Sequence, residues 1–158
     1  MSLHGPEATG AATLTSSRLR IAGVHLRNTS GLDREGIARA QQLAGIAAGD
    51  TARQDMAEQA LADLLADPAQ LSMLDGISLC HGRAGLFQTL WHAAHDARTP
   101  ALTASLPHLA ALLTQHSQPP AAAGTGLLEG QAGLALALLT AASNTPPASG
   151  WDRCLLIA

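Results

Sequence analysis

The chain has 158 residues, 47% of them hydrophobic but only 2% aromatic, and a net charge of −3. That length suffices for one domain with a core, and the core must be built from Ala and Leu, which lead the helix scale, since the Val, Ile, Tyr and Phe of sheets are scarce. All nine basic residues are arginines, scattered along the chain, and so few aromatic rings offer no stacking platform, which argues against nucleic-acid binding. No apolar run reaches the roughly 18 residues of a membrane span, and the N-terminus lacks the apolar stretch of a secretory signal. Two cysteines, Cys80 and Cys154, do not make a disulfide framework, so a reducing cytoplasm is the expected location.

Residues 1–30 are rich in Gly, Ser, Thr and Ala without periodicity and read as a divergent or poorly ordered lead-in. Helical patterning predicts a first helix over 36–50 and a second over 51–68, with Thr51 as N-cap and Pro68 as its stop. In the second helix Met56, Ala60 and Leu64 with Ala57, Leu61 and Leu65 form the apolar stripe, leaving Asp55, Glu58, Gln59 and Asp63 to face water. A third helix is expected over 85–97. The fourth starts with Thr99 as cap and Pro100 as first helical residue and runs to about Gln115. The fifth, with its entry turn, spans 126–142, and Trp151 begins a sixth element.

A repeat organises these elements. Gly36, Gly85 and Gly133 are spaced by 49 and 48 residues, and each opens an Ala- and Leu-rich helix. The last two units agree further: Gly82-Arg83-Ala84-Gly85-Leu86 matches Gly130-Gln131-Ala132-Gly133-Leu134. A period near 48 fits a two-helix unit. The first helix of each unit is apolar nearly all round and belongs in an inner, buried layer; the second has one wet face and belongs outside. Stacked units of this kind need polar ends or ring closure, and three units form only an arc. An apolar side left open on such an arc favours self-association.

The stretch SLCHGRAGL, residues 78–86, places Cys80 beside His81 just before the third helix. Thiolate and imidazole are zinc ligands, and a catalytic zinc takes three protein ligands with one open position. On residues alone the pair reads either as an incomplete metal site or as a core cysteine next to a histidine at a tight turn.

LCHGRAGL, followed by GLLEGQAGLALALL and the ending SGWDRCLLI, resembles the C-terminal part of the lanthionine synthetase C-like family, the lanthipeptide cyclases. The resemblance covers residues 31–158, well under half of a typical member. It implies an all-α fold, an incomplete α/α toroid of two-helix repeats with inner and outer layers. It also implies one zinc ion, held in the family by a Cys-His pair and one further Cys. Cys80 and His81 match the pair. The further Cys belongs to a Trp-Cys-Tyr-Gly-x-Pro-Gly turn one repeat earlier, where this chain has Ser30 and Gly31, so that ligand is missing. The family's catalytic His and Asp lie further upstream, where this chain has no segment, and no catalytic residue is assigned. The implied activity is addition of a peptide cysteine, activated by zinc, to dehydroalanine or dehydrobutyrine made by a separate dehydratase, closing a thioether ring. The implied partners are a lanthipeptide precursor and that dehydratase.

Other residues are weighed beside the pair. His25 is a candidate replacement for the missing third ligand, and Arg83 a candidate contact for a substrate carboxylate or leader peptide. His92 and His95 share a helix face, which reads first as a wet face with Asp96 nearby and second as ligands or an acid. Glu129 takes the repeat position of His81 and is expected to cap or hydrogen-bond the inner-helix turn rather than take part in catalysis. Cys154 is expected to be a buried apolar contact, and Trp91 and Trp151 packing residues. Three functions compete: a cyclase or a piece of one; a non-catalytic helical module that docks a precursor peptide or a dehydratase; and a plain helical-repeat interaction protein.

Overall fold

The structure, a computed structural model, describes residues 20–21, 24–25, 34–74, 76–115 and 124–158. A minimal antiparallel pair, β1 (Arg20–Ile21) and β2 (Val24–His25), precedes six α-helices. These are α1 (Arg34–Ala48), α2 (Thr51–Ala66), the short α3 (Pro68–Ser72), α4 (Arg83–Asp96), α5 (Ala101–Gln115) and α6 (Gln131–Ser143). A 3-10 turn, Trp151–Leu155, follows. The five long helices are those expected from the hydrophobic pattern. The expected breaks at Ser30 and Gly31 lie outside the described residues.

The helices form two layers in the order expected of an α/α toroid. α4 lies between α1 and α6 in one layer, and α5 packs beside α2 in the other, each outer helix against the inner helix that precedes it. The core is aliphatic, centred on α4: Leu86, Phe87, Leu90 and Trp91 pack against Leu61, Leu102, Leu109, Leu113 and Leu134. The inner helices are not uniformly apolar, however. α1 buries Glu35, Arg39 and Gln42 along with Ala38, and exposes Ile46. α6 buries Leu134, Ala137 and Thr140 but leaves Leu139 63% exposed, so its apolar character exceeds what its neighbours cover.

Local chemistry sets the helix ends. Asp50, not Thr51, caps α2, its carboxylate accepting the Arg53 N–H at 3.0 Å. Pro68 does not merely end α2; it opens α3, with Asp67 as cap accepting from Ala69 N–H. Pro100 sits just before the helical residues of α5, and its carbonyl takes the Ala104 N–H. Pro107 lies inside α5 on an exposed position, where its missing N–H breaks the helix ladder.

The wet face expected for α2 is corrected at two positions: Met56 is exposed and Glu58 is buried. Glu58 belongs to a buried polar network that joins three helices. Gln42 donates to Glu58 and to the Ala93 carbonyl, and Gln54 donates to Glu58 and to the Asp96 carbonyl. The Arg98 N–H also donates to the Glu58 carboxylate. Arg39, 1% exposed, completes it by donating to Gln42, to Asp96 at 2.6 Å and to the Ile157 carbonyl at 2.8 Å. A buried charge persists only when its donors are matched, and here the guanidinium is matched by three acceptors on three segments. The network thereby ties the C-terminal segment to α1.

Candidate metal site

The site is built from two copies of one turn. Gly82 and Gly130 precede α4 and α6 with nearly identical backbone angles, φ −120°, ψ −171° and φ −121°, ψ −170°. Each turn is folded by the same bond: Arg83 N–H donates to the Gly76 carbonyl, and Gln131 N–H to the Gly124 carbonyl. A Cβ on Gly85 would strike the Leu79 carbonyl oxygen, and one on Gly133 the Leu127 carbonyl oxygen, which is why both positions are glycine. The shared five-residue motif is thus a backbone requirement made visible in sequence.

The turns also bond to each other. The Leu128 carbonyl accepts the N–H groups of both Leu79 (2.8 Å) and Cys80 (3.2 Å). The Ser78 hydroxyl accepts the His81 N–H at 3.0 Å, and the Ser78 carbonyl accepts those of Gly82 and Gly85. Cys80 and His81 therefore stand on a braced backbone while their side chains remain exposed.

Cys80 Sγ lies 3.8 Å from His81 Nε2. Two ligands of one tetrahedral zinc, at bond lengths near 2.3 Å for sulfur and 2.0–2.1 Å for nitrogen, would be about 3.6 Å apart, so the pair fits a shared ion. Glu129 joins them: its Oε1 is 3.6 Å from His81 Nδ1, and ligand atoms of Cys80, His81 and Glu129 all lie within 4.8 Å of one another. Loss of solvation against the turn pushes the Cys80 thiol above its ordinary value, and the hydrogen bond and negative charge of Glu129 push it the same way. Beside the group opens a cleft of about 220 Å³, lined by Cys80, Leu79, Leu128, Thr89, Leu155 and Ile157 among others.

Glu129 is the residue whose grouping with Cys80 and His81 the sequence reading missed. Its carboxylate faces the Cys-His pair of the neighbouring turn. The signal was present, since Glu129 holds the repeat position of His81 and adjacent repeats bring equivalent positions together. Arg83 is the first residue of α4, half-buried beside the site. His25 falls in β2, and its side chain lies outside the described residues.

His92 and His95 are not brought to the Cys80–His81 pair. His92 is mostly buried, with Nε2 2.6 Å from the Asp152 carboxylate, to which Gln88 also donates at 3.0 Å. For His92 this replaces the expected wet face, which His95 and Asp96 keep, and it pins the 3-10 turn to α4. His95 is exposed, with Nδ1 2.7 Å from the Trp91 carbonyl and its ring 3.8 Å from the indole. Asp96 pairs with Arg39. Cys154 is exposed, not buried, and its thiol donates to the Trp151 carbonyl. Trp91 is a packing residue as expected, and its N–H is satisfied by Asn144 Oδ1.

The family model of the lanthionine synthetase C-like proteins matches residues 34–156. No curated protein and no solved structure matches the chain significantly. No helix among the described residues is long and apolar enough to cross a membrane.

Proposed function

The chain belongs to the lanthionine synthetase C-like family, and from that membership we propose that it binds zinc through Cys80 and His81 and serves thioether cyclisation of a lanthipeptide precursor. The observation that carries this reading is the 3.8 Å separation of Cys80 Sγ and His81 Nε2 on a braced, exposed turn. Zinc bound there would lower the pKa of a peptide thiol presented at its open position, so that the thiol is nucleophilic at neutral pH. The chain's own residues supply the rest. The turn holds the two donors in place through the Leu128 carbonyl and the Ser78 hydroxyl. The cleft next to Cys80, with its Leu79, Leu128, Leu155 and Ile157 walls, suits the apolar part of a dehydrated peptide. Arg83, at the head of α4, is the residue that would meet a carboxylate of that peptide. Both cysteines are free, in keeping with a reducing cytoplasm.

The second reading is a binding module that docks the precursor, or a dehydratase, without catalysis. It is favoured by the absence of a cysteine at Gly31, which removes a family ligand, while the cleft walls do not depend on metal. Elemental analysis of protein purified without chelator, beside Cys80→Ala, tests the first reading; one zinc per chain, lost in the variant, is expected. Thioether formation on a dehydrated precursor, followed by mass spectrometry after thiol alkylation, then separates catalysis from docking. Precursor binding that survives Cys80→Ala with no ring closure by the parent chain would leave the second reading standing.

A further inference from the structure

We infer that Glu129 is the third protein donor of the metal site, in place of a second cysteine. The inference rests on the Cys80–His81 metal pair proposed above and adds a residue to it. Three observations carry it. The chain has only one other cysteine, Cys154, whose thiol is engaged with the Trp151 carbonyl and which is not part of the metal-competent group. Among the described residues, the one group of His, Cys, Asp and Glu side chains able to converge on an ion is Cys80, His81 and Glu129, all within 4.8 Å. The carboxylate also comes from the neighbouring repeat, through a turn that is hydrogen-bonded to the Cys80 turn by the Leu128 carbonyl. The backbone segments that carry the donors are therefore fixed relative to one another.

The chemistry suits the same ion. Zinc accepts sulfur, nitrogen and carboxylate oxygen, and a site with only three protein donors keeps a fourth position open. An oxygen donor in place of a thiolate lowers the negative charge the protein pushes onto the metal only slightly, since both are monoanions, but oxygen is the harder donor. The site so formed takes one divalent cation of the zinc class and leaves one coordination position for an exogenous thiol.

Cobalt(II) titration of the full chain tests this, because a thiolate–cobalt bond gives an absorption band in the near ultraviolet. The parent protein is expected to bind one cobalt with that band, and Cys80→Ser to lose it. Glu129→Gln keeps an oxygen able to accept the imidazole N–H but is a poor metal ligand. It should weaken the cobalt Kd by about tenfold or more, equivalent to about 1.4 kcal/mol, with the thiolate band still reached at saturation. Glu129→His, which restores a donor, should bind within about threefold of the parent. Unfolding curves for both variants close to the parent's exclude a folding defect. Parent-like affinity in Glu129→Gln would overturn the inference and leave the Cys80–His81 pair intact. Equal weakening in Glu129→Gln and Glu129→His would also overturn it, since the carboxylate would then act by orienting His81. No cobalt binding by the parent chain would remove the metal reading itself.

Discussion

His81 and Glu129 occupy the same position in two copies of one turn, 48 residues apart, and their side chains meet with Nδ1 3.6 Å from Oε1. Equivalent positions of neighbouring repeats fall side by side because the inner helices α4 and α6 start at the same level. The Leu128 carbonyl, bonded to the N–H groups of Leu79 and Cys80, locks that level. A repeat that looks only architectural in sequence thus assembles a chemical group at its seam.

The facing carboxylate should be visible in the reactivity of Cys80. In metal-free protein the thiol lies above its ordinary value, first from lost solvation and then from Glu129. Glu129→Gln should therefore move the pH midpoint of Cys80 alkylation downward, measured with iodoacetamide and chelator in a Cys154→Ser background. A midpoint that stays or rises would mean that the carboxylate does not face the sulfur. The linkage has a definite sign. A thiol raised in the folded state keeps its proton longer than in the unfolded chain, so stability declines as pH rises past the ordinary thiol range. That decline should be smaller in Cys80→Ser.

Gly85→Ala should be severely destabilising. The added Cβ strikes backbone, the Leu79 carbonyl, which cannot swing aside as a side chain would. A loss of about 3 kcal/mol is expected by urea unfolding. The same change at Gly36, where a Cβ meets open space, should cost nothing measurable. Equal effects at the two sites would refute the close-approach explanation.

Arg39→Ala should cost about 3 kcal/mol, because it removes the guanidinium from the buried network and leaves the Gln42 oxygen and the Ile157 carbonyl without their donor. Hydrogen exchange should rise across 151–158, the segment that Arg39 holds. Asp96 is 43% exposed on its side chain, so Asp96→Asn should cost far less. If Asp96→Asn proved as damaging as Arg39→Ala, the ion pair and not the network would be the principal contribution.

Pro107→Ala should stabilise the protein. The residue is exposed within α5, and the substitution restores a helical N–H and removes ring crowding against the preceding turn. A gain of about 1 kcal/mol or more is expected from a thermal melt. A loss would show that the backbone Pro107 imposes is needed for packing of Leu109 and Leu113 on the core.

The sequence alone determined the five long helices and their two-layer order, and it marked Cys80 and His81 as an adjacent pair on the turn before α4. Helix identity is legible because Ala and Leu at helical spacing carry a local signal. The repeat is legible because the glycines at 82, 85, 130 and 133 are demanded by backbone contacts within each turn, whatever the rest of the molecule does. What only the tertiary structure decided concerns polar side chains. Glu58, His92 and Asp152 read as water-facing or unremarkable from their own neighbours in the chain, yet each is buried or nearly so by partners far away in sequence. Hydrophobic periodicity reports which face of a helix is apolar. It does not report that Arg39 will meet Asp96 and Ile157, or that Glu129 will face Cys80 and His81, because a polar group's burial depends on a matching donor or acceptor, and in this fold those partners arrive from other repeats.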